Sequence, residues 1–188
     1  MSETSQPSPA ERSTPDGPGL VQVYTGDGKG KTTAALGLAL RAAGHGLRTY
    51  IGQFIKGQDY GELHSVRRLA PLVTIEAFGR PVFIRADQIK PEDIALVQRG
   101  LERVRQAVHS GDYQIVVLDE INIAIHLKLA TVEQVLDLIQ NRPPGVELVL
   151  TGRRAPQALL DAADLVTEMR EVRHPYQRGI GARRGIER

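Results

Sequence analysis

A glycine-rich turn between an apolar strand and a helix constrains the fold of this 188-residue chain more than any other feature. The run Leu20-Val21-Gln22-Val23-Tyr24 predicts a β-strand, and the alanine- and leucine-rich stretch from Thr32 to Ala43 predicts a helix that ends at Gly44. Between them lies the segment Gly26-Asp27-Gly28-Lys29-Gly30-Lys31-Thr32-Thr33. A strand that leads through such a turn into a helix is typical of the phosphate loop of nucleotide-binding α/β proteins.

The residues of this loop have the chemistry that a polyphosphate requires. Three glycines within five residues let successive backbone N–H groups face inward, which forms an anion-binding nest at the positive end of the following helix. Lys31 can reach phosphate oxygens, and the hydroxyl of Thr32 can bind Mg²⁺. The general pattern has a glycine where this chain has Thr25, so the loop is one residue shorter and Gly26 takes that role. A plain glycine-rich turn is the alternative, but Gly-Lys-Thr-Thr at a helix start favours nucleotide binding.

A second motif combines an apolar strand with two carboxylates. Residues 115–118 are continuously apolar, as a strand covered on both faces would be, and Asp119 and Glu120 follow directly. In a parallel sheet the carboxyl end of this strand opens beside the phosphate loop, so a carboxylate there can hold Mg²⁺ directly or through water. A solvated strand end is the alternative for the motif alone. Which of the two carboxylates contacts the metal is left open by the pattern.

A third strand also ends in polar residues. Residues 148–150 are apolar and are followed by Thr151-Gly152-Arg153-Arg154. An arginine at the same sheet edge can bind phosphate with two hydrogen bonds, and a surface role is the alternative for either arginine.

Strands and helices alternate along the chain, which predicts right-handed βαβ units. Further strands are predicted at residues 49–55, 72–78, 115–118 and 146–150, and further helices at 91–108, 132–139 and 156–162. The helix from Pro91 has apolar residues at the helical period, namely Ile94, Val97, Leu101, Val104 and Val108. We therefore expect one α/β domain of the P-loop NTPase type (RecA-like), with a mostly parallel sheet and helices on both faces. It covers residues 19–170, between a disordered N-terminal tail (1–18) and a basic C-terminal tail (171–188).

Composition narrows the cellular setting and the partners. The chain has no cysteine, no apolar run of membrane-spanning length and no signal-type N-terminus, so a cytoplasmic protein is expected. Its formal net charge is +2, and the excess of positive charge lies between Arg170 and Arg188, where six arginines and two glutamates give +4. Because the remainder is slightly acidic and aromatic residues make up only 4%, nucleic acid is not expected as a partner.

Four motifs, in order, make the chain resemble the corrinoid adenosyltransferases of the ATP:cob(I)alamin type found in cobalamin synthesis. They are the loop 26–33 followed by Ala34-Ala35, Gln53-Phe54-Ile55-Lys56-Gly57, Val117-Leu118-Asp119-Glu120-Ile121-Asn122 and Leu150-Thr151-Gly152-Arg153. The resemblance extends from about Leu20 to the C-terminus, and the ending Gly181-Ala182-Arg183-Arg184-Gly185-Ile186-Glu187 is also similar to members of the family. The short loop that departs from the general pattern fits this family well.

The resemblance implies a specific reaction and a set of substrates. ATP and a reduced corrinoid would be the substrates, with Mg²⁺ bound to the ATP. Cob(I) would attack C5′ of the ribose, so that the 5′-deoxyadenosyl group moves to cobalt and inorganic triphosphate leaves. No catalytic base is then needed, because the protein positions the reactants, neutralises the leaving group and excludes solvent.

The resemblance also implies roles for residues. Lys31 and Glu120 are expected to be catalytic, and Lys29 with Lys31 would neutralise phosphates, assisted by Arg153. Thr32 and Glu120, together with Asp119, would hold Mg²⁺. The residues implied in binding ATP or the corrinoid are Gly26, Asp27, Gly28, Lys29, Gly30, Lys31, Thr32, Thr33, Arg153 and Phe83.

One segment departs from the family. Many relatives carry Gly-Phe-Thr-Trp after the third strand, with aromatic rings that approach the corrinoid. This chain has Gly79-Arg80-Pro81-Val82-Phe83-Ile84-Arg85 there and contains no tryptophan. Phe83 is the candidate replacement for one aromatic ring, and a loop anchor packed on the core is the alternative.

Two other functions use the same loop. A small-molecule or nucleotide kinase would need a base or an acceptor site, for which the sequence offers no clear candidate. A nucleic-acid-associated ATPase would use the arginine-rich tail as its contact. By the resemblance, a homodimer and an electron-donating reductase are candidate partners, and no membrane is involved.

Overall fold

The computed structural model describes residues 17–82 and 86–187. Most of the predicted N-terminal tail, and Phe83, lie outside these residues. The strands are β1 (Val21–Thr25), β2 (Thr49–Phe54), β3 (Val73–Phe78), β4 (Ile115–Asp119), β5 (Glu147–Thr151) and β6 (Leu165–Glu168). The helices are α1 (Lys31–Gly44), α2 (Gly61–Val66), α3 (Pro91–His109), α4 (Ile121–His126), α5 (Val132–Asn141) and α6 (Gln157–Asp161). Short 3₁₀ turns occupy Arg67–Leu69, Ala86–Gln88 and Pro175–Arg178.

The six strands form one parallel sheet in the order β3-β2-β4-β5-β1-β6. The strand before the phosphate loop, β1, and the strand before the two carboxylates, β4, are therefore separated by β5. This order is that of the RecA-like group, and the predicted fold class is confirmed. Since all strands run the same way, the loops after β1, β2, β4 and β5 meet at one edge of the sheet.

Apolar side chains of the strands alternate between two buried layers. One layer contains Val116 and Leu118 of β4 and packs against α3, α4, α5 and α6. The other contains Ile115 and Val117 of the same strand and packs against α1 and α2. β4 is continuously apolar because helices cover both faces of the sheet, as its sequence pattern predicted.

The sequence pattern missed three elements and misplaced one residue. β6 is an edge strand of four residues, all exposed, so it has no apolar pattern from which to predict it. Helices α2 and α4 are only six residues long each. The expectation that Ile94 lies on the buried face of α3 is wrong, because Ile94 is 42% exposed whereas Asp93 is buried. The first turn of α3 extends past the core, and its buried face begins with Asp93, which pairs with Arg80 (Nε to Oδ1, 2.6 Å).

A glycine in α3 provides a test of this packing. We expect Gly100→Ala to lower the free energy of unfolding by about 1–3 kcal/mol, because overpacking a core forces neighbours to move. The added Cβ would lie 2.7 Å from Cγ of Phe78 and 2.8 Å from Cε1 of Phe54, and both rings are buried. The measurement is urea unfolding followed by circular dichroism.

The matched control is Gly37→Ala in α1, where an added Cβ meets no atom within 4 Å among the described residues. Alanine is the better helix former, so this variant should gain about 0.5–1 kcal/mol. Equal stabilities for the two variants would contradict the packing of α3 on the two phenylalanines.

Candidate active site

The phosphate loop is held against the chain that follows β6. Gly26 and Gly30 have positive φ angles of 90° and 120°, which glycine adopts without strain. The N–H of Gly28 donates to the carbonyl oxygen of Met169 at 2.6 Å, and a Cβ on Gly28 would lie 2.6 Å from that same oxygen. The close approach of the two backbones therefore requires glycine at position 28, and it fixes this side of the loop against Met169.

The backbone of the loop surrounds the side chain of Lys31. Its ammonium donates to the carbonyl oxygens of Gly26 and Gly28, both at 2.6 Å, and the residue is only 6% exposed. Burial lowers the pKa of Lys31, and the nearby carboxylate of Glu120 acts in the opposite direction. The lysine that the sequence predicts to reach phosphate oxygens thus lies at the centre of the loop and lines the adjoining cavity.

Asp119, at the end of β4, is fully buried and accepts four hydrogen bonds. Its Oδ1 accepts from the hydroxyls of Thr32 (2.9 Å) and Thr151 (2.7 Å). Its Oδ2 accepts from the ammonium of Lys56 (2.7 Å) and from the amide of Gln53 (3.2 Å). Both oxygens are therefore occupied by protein donors, which come from three separate segments at the sheet edge.

Glu120 has a different environment from its neighbour Asp119. It has a left-handed backbone conformation (φ 63°), held by a bond from its N–H to the hydroxyl of Thr151 (2.9 Å). Its side chain lines the cavity and has no hydrogen bond or ion pair with the other described residues. Burial raises the pKa of the Glu120 carboxyl, against the opposing effect of the Lys56 ammonium. Of the two predicted metal carboxylates, only Glu120 faces the cavity.

Lys56 is a site residue to which the sequence motifs assigned no role. It follows β2, lies 2.9 Å (Nζ to Oγ1) from Thr32, and its Nζ is 5.7 Å from the centre of the Tyr60 ring. Burial alone would lower the pKa of Lys56, but the carboxylates of Asp119 and Glu120 raise it above its usual value. The sequence feature that could have identified Lys56 is its position directly after a strand, at the sheet edge where the other loops meet.

A cavity of about 800 Å³ joins these groups. The predicted residues Gly28, Lys29, Gly30, Lys31, Thr32, Thr33, Glu120 and Arg153 line it. Gly26, Asp27 and Asp119 are adjacent to these residues but do not line it. The side chain of Asp27 is largely exposed and lies 4.0 Å from Nε of Arg153. Apolar or aromatic side chains also line the cavity, namely those of Ile55, Tyr60, Val82, Ile123 and Ile186.

The last residues of the predicted basic tail return to the phosphate loop. The ammonium of Lys29 donates to the carbonyl oxygen of Ile186 at 3.2 Å and lies 3.5 Å from a carboxylate oxygen of Glu187. Hydrogen bonds from Arg183 to Glu187 lower the pKa of that carboxyl to about 2, so it is ionised at neutral pH. The end of the chain therefore forms part of the cavity wall.

Side-chain oxygens of the kind that Mg²⁺ prefers are present in the cavity lining. Within residues 17–82 and 86–187, no three histidine, cysteine or acidic side chains cluster as a metal-binding group. Glu120 and Thr32 nevertheless both face the cavity, and Mg²⁺ commonly takes one or two protein oxygens while phosphates and water complete its shell.

Within residues 17–82 and 86–187, no helix is both long and apolar enough to cross a bilayer.

The strand order, the loop around Lys31 and the acidic end of β4 define a RecA-like P-loop protein that binds nucleoside triphosphates. Comparison with known proteins identifies the family. The profile of the ATP:corrinoid adenosyltransferases BtuR/CobO/CobP matches residues 18–188, and the chain belongs to this family. The family and the enzyme class that the sequence motifs predicted are thereby confirmed.

Individual relatives agree with the profile. The chain is 38% identical over 170 residues to a corrinoid adenosyltransferase of Pseudomonas aeruginosa, covering 90% of this chain and 83% of the relative. It is 34% identical over 170 residues to the corrinoid adenosyltransferase CobA of Salmonella typhimurium, covering 90% and 85%. Among solved structures, the KaiC-like protein PH0186 of Pyrococcus horikoshii aligns with 79% of this chain and 70% of its own at 17% identity and a TM-score of 0.47.

Two threonines in strands provide a test of the hydrogen bonds around Asp119. We expect Thr151→Val to lower the free energy of unfolding by about 2–4 kcal/mol, because a buried carboxylate and a backbone N–H each lose a partner. Thr49→Val is the matched control, since the hydroxyl of Thr49 is equally buried but has no partner among the described residues. That control should change stability by less than about 0.5 kcal/mol or increase it. A similar loss in both variants, in thermal or urea unfolding, would argue against the network.

Proposed function

We propose that this chain transfers the 5′-deoxyadenosyl group of ATP to the cobalt of a reduced corrinoid and releases triphosphate, a step of cobalamin biosynthesis. The observation that carries the proposal is the cavity itself. Its lining combines the phosphate loop and the cations Lys29, Lys31, Lys56 and Arg153 with several apolar side chains. Such a lining suits both a polyphosphate and a large, mostly apolar reactant.

The bonds in this reaction account for what the site must do. The electron pair of cobalt(I) attacks C5′, a cobalt–carbon bond forms, the C5′–O bond breaks, and its electrons leave with the triphosphate oxygen. No proton is transferred in the step, so the protein needs no general base. It must hold the two reactants in line and meet the charge that develops on the leaving oxygen.

The phosphate loop would bind the triphosphate through its main chain and its lysines. The N-terminus of α1, which begins at Lys31, favours an anion because the first N–H groups of a helix have no partner within it. Lys31 would exchange its bonds with the Gly26 and Gly28 carbonyls for bonds with phosphate oxygens, and Lys29 would likewise exchange its contact with Ile186. Arg153, at the cavity rim after β5, would bind a further phosphate oxygen.

Mg²⁺ would be held by Thr32 and Glu120. When bound, the metal neutralises part of the phosphate charge. Asp119 would not contact the metal: its carboxylate accepts a hydrogen bond from the Thr32 hydroxyl and so orients the lone pairs of that oxygen. Of the Asp-Glu pair, we therefore propose Glu120 as the direct ligand and Asp119 as the residue that positions Thr32.

The corrinoid would contact apolar and aromatic side chains of the cavity lining. Tyr60, Val82 and Ile186 belong to that lining, and Val82 and Ile186 are both about half exposed. Phe83, next to Val82, stays the candidate aromatic contact. A homodimer, a separate reductase for the cobalt and a cytoplasmic location also belong to the proposal, on the strength of the family.

Product analysis tests the proposed function. The protein is incubated with ATP, Mg²⁺ and chemically reduced corrinoid, and the products are separated by chromatography. A light-sensitive adenosylated corrinoid together with inorganic triphosphate is expected. ADP with a phosphorylated acceptor would instead indicate a kinase, and ADP with phosphate, stimulated by DNA, would indicate a nucleic-acid-associated ATPase.

A carboxylate variant tests the metal assignment. Glu120→Gln should raise the Mg²⁺ concentration needed for half-maximal activity by about 10-fold or more, because a charged oxygen ligand is replaced by a neutral one. Glu133→Gln, which removes an exposed carboxylate in the first turn of α5, is the control and should titrate like the parent protein. An unchanged Mg²⁺ titration for Glu120→Gln would remove Glu120 from the metal site.

A further inference from the structure

The ammonium of Lys56 lies between the carboxylate of Asp119 and the hydroxyl of Thr32. Its Nζ is 2.7 Å from Oδ2 of Asp119 and 2.9 Å from Oγ1 of Thr32. The side chain is 16% exposed, and the residue lines the cavity next to Thr32 and Glu120. A fixed positive charge thus lies beside the hydroxyl at the start of α1.

The backbone around Lys56 is held in place by close contacts. Ile55, before it, has a left-handed φ of 53° and donates its N–H to the Phe78 carbonyl oxygen at 3.1 Å. Gly57, after it, lies against the loop that follows β3, since a Cβ there would be only 2.1 Å from the carbonyl oxygen of Gly79. The lysine is therefore presented from a constrained turn, and its direction is set by the sheet edge.

The hydrogen bonds of the ammonium leave one N–H for a ligand. A lysine ammonium has three donors, and Lys56 uses one on Asp119 and one on Thr32. The third N–H has no acceptor among the described residues. Asp119, by contrast, already accepts from Thr32, Thr151 and Gln53, so its hydrogen-bonding needs do not by themselves require a lysine.

We propose that Lys56 is a fourth cation of the phosphate site, in addition to Lys29, Lys31 and Arg153: Asp119 holds it against Thr32, and its third N–H binds an oxygen of the polyphosphate. The inference rests on the proposed function, because it assigns Lys56 to the triphosphate end of that reaction. Lys56 remains in place when the leaving group departs and meets the negative charge on the triphosphate oxygen. Because Asp119 is the partner of Lys56, Glu120 is left as the carboxylate that can ligate Mg²⁺.

Binding of inorganic tripolyphosphate tests this directly and needs neither corrinoid nor metal. Isothermal titration calorimetry in buffer with EDTA compares the parent protein with Lys56→Gln. The dissociation constant should rise about 10- to 100-fold, the effect of losing one charge-assisted hydrogen bond. Lys128→Gln is the matched control, since it removes the same charge from an exposed lysine after α4 that does not line the cavity. Its affinity should equal that of the parent.

A double variant separates direct binding from a purely structural role. Lys56→Gln alone leaves the buried Asp119 without its cationic partner, which by itself could disturb the loop. Lys56→Gln with Asp119→Asn removes both charges and keeps hydrogen-bonding side chains at both positions. If Lys56 binds the polyphosphate, the double variant regains thermal stability but still binds tripolyphosphate about 10- to 100-fold more weakly than the parent. Recovery of the parent affinity in the double variant would overturn the proposal.

The outcomes for Lys56 and for the proposed function are distinguishable. If the parent protein forms the adenosylated corrinoid and Lys56→Gln binds tripolyphosphate as tightly as the parent, only the role of Lys56 falls. If the parent binds tripolyphosphate with the expected dependence on Lys56 but forms no adenosylated corrinoid, the phosphate site stands and the proposed function falls.

Discussion

The burial of the Lys31 ammonium is the constraint on which the rest of the site depends. A charge removed from water must be met by dipoles or counter-ions, and here the carbonyl oxygens of Gly26 and Gly28 meet it. Carbonyls can point inward on both sides of the lysine only if the chain curls tightly. That requires glycine at Gly26 and Gly30, and the carbonyl of Met169 beyond β6 closes the outer side of the loop. The same residues that satisfy the lysine thus define the shape of the phosphate site.

A second buried charge, on Asp119, connects the loop to the sheet. Its four donors come from α1, β2, β5 and the turn after β2, so the carboxylate joins segments that are far apart in the chain. The insertion of β5 between β1 and β4 is what brings the Thr151 hydroxyl to this position. Because Asp119 is fully engaged by protein donors, the adjacent Glu120 is the carboxylate that remains open to the cavity. Two neighbouring acids with similar chemistry are thereby given different environments by the strand order.

The sequence predicted the parts of this structure that depend on local patterns. The phosphate loop, the parallel sheet and the doubly covered strand β4 follow from glycine spacing, from alternating elements and from a continuous apolar run. β6 could not be found in this way, because an exposed edge strand of four residues has no hydrophobic period. The pattern also could not predict that Asp93 is buried and Ile94 exposed, because this depends on the ion pair between Asp93 and Arg80. Lys56 and the return of Glu187 to Lys29 are likewise contacts between segments distant in sequence.

A transfer that breaks the C5′–O bond makes different demands from a transfer of phosphate. In the proposed reaction the leaving group is the entire triphosphate, which takes the negative charge. The attraction between the triphosphate and each cation in contact with it therefore increases as that charge develops. A lysine held by a buried carboxylate, such as Lys56, suits this need because it does not have to reorganise when the bond breaks. A mobile surface lysine would lose part of the same benefit to ordering. The fixed charges at the edge of the sheet are therefore the feature of this fold that the proposed chemistry uses most directly.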